Sequence, residues 1–271
     1  MMKINTFRLR ETKQKLTARL DKYRQLKKQR GMTLLEIIIV LGIIGTIAAG
    51  VVILAQRAFD TKAMTDLANN ANSVRVAVKD AYGPSGEYPA ADVPNTEGLK
   101  NSAQLTGTNG IKTPIGKLVA LGKLSADEAL NGISGNYINV GPGKIGSGTS
   151  AKDNAGYYIQ LNGLDQTQCR GILNQVGNQW DYVQVTDDGG AGTYPTAQVV
   201  LDAEPTGYNA AGTGTGGAAT SASFSMTGIY RSLYTSGTGA DAKNGSTIIT
   251  PDLVVGACAN NASNVVTLGS R

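Results

Sequence analysis

The chain has 271 residues, with 25 Lys and Arg against 20 Asp and Glu, and no His. Without His there is no Ser-His-Asp or Cys-His nucleophilic centre, no HExxH site and little zinc chemistry, which leaves an enzyme only carboxylate or Ser-Lys catalysis. The formal charge of +5 is unevenly spread: residues 1–31 hold 11 of the basic residues and 2 of the acids, so the remainder carries −4. A nucleic-acid-binding role therefore loses its electrostatic support, and none is expected.

In chain order, the basic arm runs into an uncharged stretch, Ile37 to Ala55, through Gly31-Met32-Thr33-Leu34-Leu35-Glu36. The stretch is long enough for a membrane span, which needs roughly 20 apolar residues. Basic residues before it hold that side in the cytoplasm and place the following chain outside. Glu36 is the only ionisable side chain between Arg30 and Arg57. A carboxylate near bilayer depth costs on the order of 3 kcal/mol, so it calls for a partner charge unless it lies at the headgroup boundary. A rival reading is an ordinary secretory signal cut near Ile47-Ala48-Ala49.

Helical spacing continues past the apolar stretch. Met64, Leu67, Ala71, Val74, Val78 and Ala81 recur at steps of three and four, and Gly83-Pro84 stops the pattern. One helix from Met32 to Tyr82 would be roughly 75 Å long. Beyond it the composition turns to Gly, Ser, Thr and Asn. Helices are predicted from Thr113-Pro114 to Gly122, from the capping box Ser125-Ala126-Asp127-Glu128, and from Asp165 to Gly177 with Cys169, Ile172, Leu173 and Val176 on one face. Strands are predicted at Asn136–Val140, Tyr157–Leu161, Tyr182–Val185, Ala197–Leu201, Thr247–Ile249 and Asn264–Leu268, and a surface loop at Pro205–Ala219.

The motifs outside the N-terminal stretch point to structure rather than chemistry. Gly141-Pro142-Gly143-Lys144-Ile145-Gly146 fits GxGxxG after a strand, but Ser147-Gly148-Thr149-Ser150 continues the loop where a phosphate-binding helix should begin. Asp181, Asp187 and Asp188 lack the spacing of a calcium loop, so no metal site and no cofactor are expected. Trp180 and Tyr182 read as packing residues, and the sequons at Asn244 and Asn261 carry no weight. Cys169 and Cys258 are either one disulfide formed in an oxidising compartment or two buried thiols.

The stretch Gly31 to Glu36, followed by Ile37-Ile38-Ile39-Val40-Leu41-Gly42, resembles the processing site of prepilins, the precursors of type IV pilus subunits. The long leader and Met at the new N-terminus resemble the type IVb branch. Gly86-Glu87-Tyr88-Pro89, Leu121 to Glu128 and Leu164 to Cys169 resemble major pilins of enteric bacteria, those of longus and the toxin-coregulated pilus in particular.

The resemblance implies a leader, 1–31, removed by a prepilin peptidase cutting between Gly31 and Met32. The same enzyme would methylate the Met32 amine. Residues 32–56 would form the transmembrane and filament-core half of the helix, and residues 57–271 a globular head. Glu36 would pair with the Met32 amine of a neighbouring copy in a helical homopolymer. Cys169 and Cys258 would close the variable D-region. The implied fold is the α+β ladle of type IV pilins: a long N-terminal helix and an antiparallel β-sheet head. An assembly ATPase, an inner-membrane platform and an outer-membrane secretin are the implied partners. The implied location is the inner membrane before assembly and an extracellular filament after it. The implied function is structural, not enzymatic: a major pilin for adhesion, aggregation and colonisation. A minor pilin or a type II secretion pseudopilin would share the same processing site. A signal-anchored carboxylate hydrolase is the alternative of another class.

Overall fold

The computed structural model describes residues 33–88, 99–207, 227–236 and 243–271, together with positions 15, 17 and 19–21. The chain divides into two compact units, Met1–Arg57 and Ala58–Arg271. Helix α1 (Leu34–Tyr82) runs from the first into the second. Its opening part is exposed residue by residue from Thr33 to Leu54. Its closing part buries Leu67, Ala68, Ala71, Val74, Ala77 and Val78, the stripe expected from the spacing, with Met64 and Ala81 partly covered beside it. Gly83–Ser85 forms a 3₁₀ turn, and Gly86 in the left-handed region (φ 66°) ends it.

In the second unit, Asn101 caps the short helix α2 (Ser102–Leu105). Thr113 caps α3 (Pro114–Ala120), its hydroxyl accepting from the Gly116 N–H at 3.2 Å. Gly122 (φ 69°) closes α3, and the Lys123 N–H returns to the Leu118 carbonyl at 3.0 Å. The helix expected from Ser125 does not form. The reciprocal Ser125–Glu128 cap is present, yet the chain makes a single turn and enters strand β1 (Leu130–Asn131). Two physical reasons stand out: the Asn70 amide donates to the Asp127 and Leu130 carbonyls, which a continuing helix would need, and Leu130 pairs with Tyr137.

The strand expected at Asn136–Val140 is broken at Ile138 into β2 (Asn136–Tyr137) and the start of β3 (Asn139–Ile145). The GxGxxG stretch, expected as a loop, is therefore mostly strand. A side chain at Gly141 would strike the Tyr158 ring at 2.4 Å, so this glycine serves packing rather than phosphate approach. Strand β4 (Lys152–Leu164) overruns its predicted ends. Helix α4 (Gln166–Val176) opens on a complete capping box between Asp165 and Gln168 and buries Cys169, Ile172, Leu173 and Val176, as the pattern requires.

Next come β5 (Tyr182–Thr186), β6 (Gly228–Arg231), β7 (Thr235–Ser236), β8 (Lys243–Asn244), α5 (Pro251–Ala257) and β9 (Asn264–Ser270). The main sheet is ordered β3-β4-β9-β5-β6, with every neighbouring pair antiparallel.

Two predicted strands are absent. At Ala197–Leu201 only Val200 bridges to Lys144. Extension one way would need an N–H from Pro142, which has none, and the other way the Gly146 N–H, which goes to Asp202 Oδ2 at 2.8 Å. Thr247–Ile249 is irregular because side chains take its backbone groups: Arg231 donates to the Thr247 carbonyl, and Asn178 both donates to and accepts from Ile249. Of the tract Pro205–Ala219, residues 205–207 are irregular and 208–219 lie outside the described residues.

The core lies between the closing part of α1, α4 and one face of the sheet. Tyr157 stands between Tyr88 (ring centroids 4.9 Å) and Trp180 (6.2 Å, edge-on), and the Arg75 guanidinium sits 5.0 Å over Trp180. Trp180 is fully buried and Tyr182 nearly so, consistent with packing roles.

Candidate functional site

The predicted cleavage and methylation residues, Gly31 and Met32, lie outside the described residues. Thr33, the first described residue after them, caps α1. Its carbonyl accepts from the Glu36 and Ile37 N–H groups at 3.0 and 3.2 Å, and its hydroxyl oxygen from the Glu36 N–H at 3.3 Å. Thr-x-x-Glu ahead of an apolar run is a capping signal that the reading of the sequence passed over. It sets Glu36 in the first turn of the helix, where a negative charge faces the positive end of the helix dipole.

From Glu36 the helix presents apolar side chains all round. No charged residue follows Glu36 before Arg57, and the apolar stretch is not buried within the chain. A helix that is apolar on every side needs lipid or other helices around it. The polar Thr46 hydroxyl is satisfied within the helix, donating to the Ile43 carbonyl at 2.8 Å. Gly42, Gly45 and Gly50 have open space around them, so another backbone can approach there closely. Among the described residues no cation is paired with Glu36.

The second predicted feature lies in the head. Cys169, in the first turns of α4, is bonded to Cys258 at the end of α5, with Cα atoms 6.2 Å apart and a sequence separation of 89. Both residues are buried. Two further bonds hold α5 to α4: Gln166 donates to the Cys258 carbonyl at 2.9 Å and Arg170 to the Val255 carbonyl. The intervening chain supplies β5 and β6 to the sheet, and β9 (Asn264–Ser270) is the next element after Cys258.

The remaining candidates serve the fold. Asp181 accepts from the Ser270 hydroxyl at 2.6 Å, while Asp187 and Asp188 are exposed. Among the described residues no group of His, Cys, Asp and Glu has the arrangement of a metal site. Burial pushes the Tyr157 and Tyr182 phenols up, and that of Tyr230 up to about 12. Hydrogen bonds from the Ser125 N–H and hydroxyl hold the Glu128 carboxyl below its ordinary value.

Comparison with known proteins bears on both features. The family model of the prokaryotic N-terminal methylation motif matches residues 26–52, and that of the toxin-coregulated pilus subunit TcpA matches residues 117–244. Toxin coregulated pilin of Vibrio cholerae is 39% identical over 161 residues, 59% of this chain and 64% of that protein. The toxin coregulated pilin of Vibrio cholerae serotype O1 is 40% identical over 159 residues, 59% of this chain and 63% of that one. The match thus spans a little under two thirds of each curated relative. Among solved structures, the crystal structure of TcpA, a type IV pilin from the Vibrio cholerae El Tor biotype, aligns with a TM-score of 0.52 at 25% identity, covering 78% of this chain and 99% of that one.

Proposed function

We infer that this chain, similar in fold and in sequence to toxin coregulated pilin, is the major structural subunit of a type IVb pilus. The observation that carries the reading is the coincidence, on one short segment, of the methylation motif with an exposed apolar helix whose first turn holds a single acid. Such a helix is stable in two settings only, a bilayer and a bundle of its own kind. A pilin uses both in turn.

In this reading a prepilin peptidase and methyltransferase cuts between Gly31 and Met32 and methylates the new amine. Removal of residues 1–31 converts a basic precursor into a subunit of net charge −4. Before assembly the helix crosses the inner membrane once, with the head in the periplasm. An assembly ATPase, its membrane platform and a secretin then deliver subunits into an extracellular filament serving adhesion and aggregation. In the filament core the Met32 amine of a neighbouring subunit pairs with Glu36. The pair offsets the cost of an isolated carboxylate in an apolar setting, and it fixes register because only one axial stagger brings the charges together.

The test is mass spectrometry of material sheared from the cell surface. The expected N-terminus is N-methylated Met32. A start near Gly50 would mean an ordinary signal peptide and no filament core, and would overturn the reading.

A further inference from the structure

Side chains alternate across the sheet, so Tyr157 and Ile159 face the core while Tyr158 faces the other way. That second face is not open. Residues 196–207 cross it, and Val199 and Leu201 bury themselves against Tyr158 and Tyr182, flanked by Ile145, Ile229 and Leu233. Leu201 is fully buried in a hollow made by three glycines on three adjacent strands. A Cβ at Gly143 of β3, Gly156 of β4 or Gly269 of β9 would lie 2.6, 2.4 or 2.5 Å from a methyl carbon of Leu201. Gly143 and Gly156 are register partners, and Gly269 is the partner of Tyr158, so the three positions form one socket shaped to a single branched side chain.

The backbone of this segment is joined to its surroundings sparingly. Lys144 donates to Val199 and accepts from Leu201, Leu233 donates to Leu201, and Gly146 donates to the Asp202 carboxylate. No ladder continues beyond the single bridge at Val200. Its two ends are fixed independently of Leu201. Before it, Gly189 donates to the Ser263 carbonyl, and at its far end Thr206 and Gly207 donate to Ile229.

We propose that residues 196–205 are a strap latched by Leu201 in the three-glycine socket, and that the strap opens as a unit between its fixed ends while the sheet and the disulfide-tied helices stay folded. Opening breaks a handful of hydrogen bonds and exposes Val199, Leu201 and the two tyrosines beneath them, less than global unfolding requires. It uncovers Tyr158 and Tyr182, which are 9% and 1% exposed with the strap closed. The head thus holds an aromatic face in reserve beneath a cover that a single side chain retains.

Hydrogen exchange read by mass spectrometry on the full-length chain in detergent tests this. In the wild type, the Leu201 and Gly146 amides exchange ahead of those in α4 and β9. Leu201→Ala speeds exchange at the strap on the order of a hundredfold, the scale of a buried leucine truncation, without changing α4 or β9, and renders Tyr182 open to nitration. Gly143→Ala fills the socket from the other side and has the same effect alone. In the Leu201→Ala background it adds nothing, because its methyl occupies the space the leucine vacated. Equal acceleration in β9 and α4, no acceleration at the strap, or additive effects of the two substitutions would overturn the proposal. If Leu201→Ala fails to fold, the wild-type order of exchange and Gly143→Ala decide alone: strap amides as slow as those of β9 refute the strap.

Discussion

Replacing Cys169 and Cys258 together by Ala removes a cross-link between residues 89 apart in sequence. On the chain-entropy relation, opening a loop of that size releases roughly 4.6 kcal/mol of constraint on the unfolded chain. The folded head loses little by contact, since Gln166 and Arg170 still bind the end of α5 to α4. The expected loss is therefore about 4 to 5 kcal/mol, a large share of the 5 to 15 kcal/mol typical of a domain. Trp180 is the only tryptophan and is fully buried against Tyr157, so its fluorescence reports the head in a denaturant titration of the full-length protein. The variant should unfold at lower denaturant yet remain in the membrane fraction, because the apolar part of α1 lies in the other compact unit. A midpoint within error of the wild type would refute the loop-entropy argument. Loss from the membrane fraction would refute the independence of anchor and head.

Glu36→Val should be processed and inserted normally but yield no sheared filament, as counted by electron microscopy; wild-type yield would remove the charge pair from the assembly argument. Thr33→Val deletes the cap on α1 while keeping the side chain's shape, and should lower filament yield several-fold with Thr33→Ser restoring it, since an N-cap contributes about 1 kcal/mol; a valine variant assembling like the wild type would show that the cap is idle. The buried Asn162 side chain accepts from the Ser134 hydroxyl and donates to the Gly190 and Thr193 carbonyls, so Asn162→Leu removes these three hydrogen bonds and should lower stability by about 1 to 3 kcal/mol in the same Trp180 titration. Burial raises the phenol pKa of Tyr157, Tyr182 and Tyr230, the last to about 12, so the stability tied to their neutral forms is whole below pH 10 and is lost as pH rises toward and past 12; absorbance at 295 nm should show these phenols ionising only as near-ultraviolet circular dichroism collapses.

What could be read from the sequence was what is decided locally. The stripe from Leu67 to Val78, the stop at Gly83-Pro84, the cap at Thr113 and the box at Asp165 are local devices, and each stands where its residues put it. The Ser125 box is equally local and equally formed, but a distant residue, Asn70, takes the carbonyls that the next turn of helix would need. Thr247–Ile249 has strand composition and no strand, because Asn178 and Arg231 reach it first. Conversely, Gly141 and Gly143 look like loop residues and lie in a strand. Their reason is the bulk opposite them, Tyr158 and Leu201, far along the chain. The N-terminal feature was legible as chemistry because its logic is one-dimensional: a basic arm, one acid and an apolar run need no tertiary partner to be understood. The head is the opposite case, a sheet whose second face is sealed by residues that have strand composition and make only a single bridge. Leu201 sits among Val199, Val200 and Asp202 with nothing in its neighbourhood to set it apart. Its importance exists only across three strands, in the space that three glycines leave empty.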